Sequence, residues 1–111
     1  MFGKILRAFK RMRADVQYAK AVEKAENALL ASGQRHYVIK GVGEKGKHQL
    51  VITDRANFKM MKVKGYINRS LRIADLERIC FYCTSYANGD GYMEDWQKER
   101  GKARAIKWMS E

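Results

Sequence analysis

Residues 35–53 read RHYVIKGVGEKGKHQLVIT, and this stretch decides the fold. Its two ends, Arg35 to Lys40 and His48 to Thr53, are short runs rich in β-branched and aromatic residues, the composition that suits a pleated, half-buried strand. Between them Gly41-Val-Gly-Glu-Lys-Gly-Lys47 supplies three glycines, which accept the positive φ values of a chain reversal. The pattern predicts a two-stranded antiparallel hairpin with a basic, flexible tip. Two strands alone are marginal in water, so the hairpin must pack on helices or gain a third short strand. Gly65-Tyr66-Ile67 is the candidate for that strand.

Toward the N-terminus, Phe2, Ile5, Phe9, Met12, Val16 and Ala19 recur three and four apart, and the stripe continues one position early at Val22, Ala25 and Leu29. That is helical spacing. Alanines at 14, 19, 21, 25, 28 and 31 favour the helix, and Ser32-Gly33 supplies its stop. One long helix is expected over residues 3–31, either projecting or packed on its own domain. Toward the C-terminus, Asp54 suits a cap for a three-turn helix over 55–64 that Gly65 closes. Another helix is expected from Ala74 with Leu76, Ile79, Cys80 and Cys83 on its apolar face, and a last one over 94–109 after the turn Asn88-Gly-Asp-Gly91. The prediction is a single α+β, mostly helical domain spanning 1–111: long helix, hairpin, three helices. Its expected core is Ile5, Phe9, Val16, Leu29, Val38, Leu50, Ile52, Phe58, Leu76, Ile79 and Trp96.

A chain of 111 residues has room for one hydrophobic core and excludes large catalytic architectures. No apolar run is long enough to cross a bilayer. Two cysteines fit a reducing compartment, so a cytoplasmic location is expected. The net charge of +11 is uneven: residues 1–13 hold five bases and no acid, 34–72 hold ten bases against two acids, and the other two segments are each slightly acidic. Such clustering points to an anionic partner.

Three motifs resemble chemistry and fail on context. Gly41-x-Gly43-x-x-Gly46 spells a dinucleotide fingerprint, but that motif must lead into a helix and here precedes a strand. Gly43-Glu-Lys-Gly46 spells the loop of a KH module, which joins two helices. Cys80-Phe-Tyr-Cys83 has the spacing of a metal knuckle or a dithiol, yet His36 and His48 form no second close pair, and buried free thiols are the plainer reading. No serine sits in a nucleophile elbow. The expectation is a non-enzyme with no metal and no cofactor.

Two basic surfaces remain. On the helix expected over 55–64, Arg55, Lys59 and Lys62 share one face, and Lys64, Arg69 and Arg72 with the hairpin residues Lys40, Lys45 and Lys47 extend it toward a phosphate-tracking surface. In residues 1–13 the apolar Phe2, Ile5 and Phe9 alternate with Lys4, Arg7, Lys10, Arg11 and Arg13. Such a segment can dock on an acidic protein or on its own copy, lie on an anionic membrane, or pack on the domain while its cations reach phosphates. Binding of nucleic acid with little sequence specificity is the leading expectation, a protein-interaction module the alternative, and membrane association through residues 1–13 ranks third.

The segments His36-Tyr-Val-Ile39, Leu50 to Phe58, Met61 to Ile67 and Asp75 to Tyr86 resemble small uncharacterised proteins of gut-bacterial, Bacteroidales-type phages and mobile elements. The resemblance spans about half of the chain and rests on hairpin, helix and core signals. It implies a small accessory protein, in the bacterial cell or phage-associated, acting on nucleic acid, a virion component or a host protein. It implies no catalytic residue.

Overall fold

The computed structural model describes residues 2–111, with the backbone alone at Phe2. The hairpin forms where its composition places it: β1 is Tyr37–Val42, β2 is His48–Thr53, and the register runs from Tyr37 opposite Thr53 to Val42 opposite His48. A 3-10 turn over Glu44–Gly46 makes the tip. A third strand joins the free edge of β1, but it is β3, Tyr82–Cys83, and not residues 65–67. The sheet order is β2-β1-β3, antiparallel throughout. Residues 65–67 do reach the far end of β1, where the Val42 N–H donates to the Tyr66 carbonyl at 2.8 Å, and Ile67 is buried. One such bond makes no ladder.

Helices cover both faces of this sheet, so the fold is α+β. The first, α1, is Phe2–Ser32, and at about 1.5 Å per residue its 31 residues reach nearly the 49 Å long dimension of the molecule. It packs on the face presented by Val38 and Ile52, together with α4, Asp95–Met109. Tyr18, Ala21, Ala25, Val38, Phe81, Tyr82 and Ala105 are the buried residues there. The opposite face, Tyr37, Ile39 and Val51, is covered by Phe58 of α2 (Phe58–Val63), Leu76 of α3 (Leu76–Ile79), Ile67 and the two cysteines. The first half of strand β1 is therefore buried from both sides, as its unbroken apolar start Tyr37-Val-Ile39 requires, while Lys40 and Val42 are exposed.

Three further expectations need correction. First, α1 is rotated: Ile5, Phe9, Met12 and Val16 are exposed, and Ala14, Tyr18, Ala21 and Ala25 face inward. Small residues let the helix axis approach the sheet and α4 closely, which the bulky stripe would prevent. Trp96 is also exposed, while Val38, Phe58 and Leu76 are buried and Leu29, Leu50, Ile52 and Ile79 half-buried. Second, the helix over 55–64 is shorter: Asp54 Oδ1 accepts from the Asn57 N–H at 2.7 Å, closing a turn over 54–57, and α2 starts only at Phe58. Third, the chain leaves the helix at Cys80, so Cys80 and Cys83 do not share a helical face; Cys83 lies in β3. A final helix does start at residue 95, where the Glu94 N–H donates to Gln97 Oε1 at 2.9 Å, half of a capping box.

Candidate nucleic-acid interface

Three stripes run along α1. At 100° per residue the buried Ala14, Tyr18, Ala21 and Ala25 point about 180° away from the exposed Ile5, Phe9, Met12 and Val16. Between the two, about 90° from each, lies a third stripe: Lys10, Arg13, Gln17, Lys20 and Lys24. Its flank position brings it beside the hairpin. Lys10, Arg13 and Gln17 line a cavity of about 530 Å³ with Gly46, Lys47 and His48. Gln17, Lys20 and Lys24 continue past His48 into an adjoining one of about 270 Å³ along β2. The two share Gln17 and His48, so they form one groove between α1 and the hairpin. Between α1 and α4, Arg7 and Arg11 line a further cleft with Ala103, Ile106 and Lys107.

The far end of α4 fixes the groove. His48 stacks on Trp108, and the side-chain ammonium of Lys40 sits 5.6 Å from the same indole ring. Glu111 is the one carboxylate lining the groove beside Lys10 and Arg13. Among the described residues, none of Lys10, Arg13, Lys20, Lys24 and Lys47 is in an ion pair. Unneutralised cations in a concave surface reinforce one another's potential. At the tip, Lys45 adopts φ 56°, ψ 29°, a left-handed conformation that costs a non-glycine residue about 1 kcal/mol or more. Such strain gathers at functional positions.

The surface expected over residues 55–72 is not continuous. Arg55 lies in the turn before α2, where it bonds Glu77 at 3.2 Å and the Tyr37 hydroxyl at 3.4 Å. Lys62 donates to the Leu71 carbonyl at 2.6 Å and lies over the Phe58 ring. Arg72 pairs with Asp75 at 3.8 Å. Lys59, Lys64 and Arg69 are exposed, on the side of the sheet away from α1. Of the hairpin lysines, Lys47 joins the cations of residues 1–13; within that segment Lys10 and Arg13 enter the groove, Arg7 and Arg11 the neighbouring cleft, and Lys4 is exposed. Gln17, Lys20, Lys24 and His48 are additions that charge counting by segment did not single out.

On the opposite side, Arg35, Cys80 and Cys83 line a cleft of about 400 Å³ with residues of α4. Arg35 Nη2 donates to Cys83 Sγ at 2.8 Å. The Cys83 thiol is held below its ordinary value by the hydrogen bond from Cys80 and then by Arg35, against the opposing effect of burial. Cys80 is pushed up, by the neighbouring Cys83 and by burial, and its thiol donates to the Glu77 carbonyl at 3.5 Å. Among the described residues no three His, Cys, Asp or Glu side chains group as a metal site, and no helix is long and apolar enough to cross a membrane.

Compared with known proteins, the chain matches no protein family, no curated protein and no solved structure.

Proposed function

We propose that the protein binds nucleic acid through phosphate contacts with little sequence specificity, in the groove between α1 and the hairpin tip. The observation that carries this reading is the stripe Lys10, Arg13, Lys20 and Lys24 meeting Lys47 with Glu111 the one carboxylate in the groove and, among the described residues, no ion pair to any of the five. Residues 10 and 24 are about 21 Å apart along the helix, enough to accompany several nucleotides. Phosphate contacts supply affinity and register, while base discrimination needs a reading element, and none is recognisable in this chain. The role is that of a cytoplasmic accessory protein without catalytic activity.

The test is binding to duplex DNA, single-stranded RNA and anionic vesicles across a salt series. If about five phosphates are engaged, log K should fall with log salt at a slope of about −4.5 on duplex DNA and about −3.5 on single-stranded RNA. Lys10→Glu with Arg13→Glu should then weaken every nucleic-acid sequence alike. Binding to vesicles alone, or no binding to nucleic acid at low salt, would overturn the reading.

A second reading has its own observation. Ile5, Phe9, Met12 and Val16 form an exposed apolar stripe opposite the packed face of α1, a surface that fits a protein partner or a second copy of the chain. Light scattering of the full chain beside Phe9→Asp with Met12→Asp checks it. A dimer dissociated by that pair, with nucleic-acid binding intact, favours self-association through α1.

A further inference from the structure

The cleft on the α4 side holds an arrangement that phosphate binding does not use. Cys80 caps the end of α3 and Cys83 lies in β3, so a helix-to-strand transition turns both sulfurs toward one space. The Cys80 thiol donates to the Glu77 carbonyl at 3.5 Å. Both residues are more than nine-tenths buried, yet both line a cleft of about 400 Å³, which admits a small molecule and restricts a large one. Arg35 is aimed at Cys83, and its side chain is held by the Gly91 carbonyl at 3.0 Å and by the Tyr86 ring, 4.6 Å from its guanidinium carbon. Its Nε is buried and finds no hydrogen-bond partner among the described residues. The same guanidinium pairs through Nη1 with the half-exposed Glu77 carboxylate at 3.6 Å, so its charge is shared between that carboxylate, which opposes a thiolate at residue 83, and the Cys83 sulfur, which it stabilises. Arg100 and Arg104 of α4 line the same cleft.

We propose that Cys83 and Cys80 form a peroxide-reactive dithiol, with Cys83 as the attacking thiolate, Cys80 as the resolving thiol and Arg35 as the positioning cation. The oxidant is hydrogen peroxide or a small alkyl hydroperoxide. Cys83 Sγ attacks one peroxide oxygen; the S–O bond forms, the O–O bond breaks, and hydroxide (or alkoxide) leaves toward the arginines. Sulfur is oxidised to the sulfenic acid as the peroxide is reduced. The Cys80 thiol then attacks that sulfur; the S–S bond forms, the S–O bond breaks, and the departing oxygen takes the Cys80 proton as water. Thiolate, thiol and hydrogen peroxide thus give a disulfide, one water and one hydroxide, which solvent protonates.

The experiment compares oxidation of the folded chain by hydrogen peroxide with that of the same chain in urea, from pH 8 to pH 6. An ordinary thiol loses almost all of its thiolate over that range, while a thiolate held by a cation keeps much of it. The folded chain's rate advantage should therefore grow on the order of thirtyfold. Comparing the ratio at two pH values cancels the effect of restricted access. Mass spectrometry should show loss of two hydrogens within one chain, reversed by dithiothreitol. Cys80→Ser should stop at a sulfenic acid on residue 83 that dimedone traps, and Cys83→Ser should lose the fast reaction. Arg35→Met should reduce the pH effect, and Arg35→Lys should reduce it less. A rate advantage that stays constant with pH overturns the proposal, as does oxidation that joins separate chains or a fast reaction surviving in Cys83→Ser. If a variant fails to fold, the folded-against-urea comparison on the unaltered chain decides alone.

Discussion

His48 and Trp108, sixty residues apart, lie face to face with ring centroids 4.2 Å apart and planes 11° from parallel. His48 Nδ1 is 2.8 Å from the Trp108 carbonyl oxygen; a carbonyl only accepts, so this nitrogen carries the proton. The contact ties the first residue of β2 to the last turn of α4 and sets the wall of the groove. Trp108→Ala should cost about 2 kcal/mol, less than a fully buried tryptophan because the residue is half-buried. His48→Ala should cost about 1 kcal/mol, and a double-mutant cycle in urea should return a coupling of about 0.5–1.5 kcal/mol. Additive losses would mean the stack contributes nothing of its own.

Gly101 reverses an ordinary rule. Replacing glycine by alanine inside a helix normally stabilises by about 1 kcal/mol. Here a Cβ would overlap the Phe81 carbonyl oxygen, because α4 crosses the backbone just before β3 at this point and Gly101 is buried. Backbone cannot swing aside as a flexible side chain can. Gly101→Ala should therefore destabilise, by about 1–3 kcal/mol, in a denaturant titration. A gain in stability would show that α4 sits farther from Phe81.

The hairpin was legible because two β-branched runs flank a glycine-rich loop, a combination with few other solutions. The length of α1 was legible too, from alanine content and the Ser32-Gly33 stop. Its rotation was not. Large side chains dominate any reading of periodicity, whereas packing selected the small stripe Ala14, Ala21 and Ala25 with Tyr18. Strand β3 escaped for a similar reason: Leu76, Ile79, Cys80 and Cys83 repeat at helical spacing, and a two-residue strand has no period of its own. The hydrogen bonds from the Phe81 N–H to Val38 and from the Thr84 N–H to His36, both 2.9 Å, are what draw the chain into the sheet. Likewise Lys20 and Lys24 lie in a segment of slightly negative net charge, which hid their alignment with Lys10 and Arg13 until the helix was seen beside the hairpin.

Acid should reveal Asp75. Its carboxylate accepts from the Arg72 N–H at 3.1 Å and pairs with Arg78 at 3.2 Å, and these contacts, the backbone bond first, hold it below its ordinary value. A carboxyl with a depressed folded value contributes stability that is complete above the unfolded value, about 4, and lost as pH falls through the folded one. Asp75→Asn should therefore be less stable than the parent at pH 7. The gap should close below about pH 4. A gap independent of pH would assign the loss to packing instead of charge.

Lys20 and Lys24 separate a groove from a diffuse basic surface. Both are exposed residues of α1 beside β2, far in sequence from the hairpin tip, and charge reversal at exposed helix positions leaves the fold largely undisturbed. If nucleic acid follows the groove past Gln17, Lys20→Glu with Lys24→Glu should make the salt slope shallower by about 2, the loss of two phosphate contacts. Affinity for different sequences should fall by the same factor. Lys59→Glu with Lys64→Glu changes the net charge equally but on the other side of the sheet. It should weaken binding only slightly, through the long-range field, and leave the slope nearly unchanged. Equal losses from the two pairs would mean that net charge, and not the groove, holds the polymer.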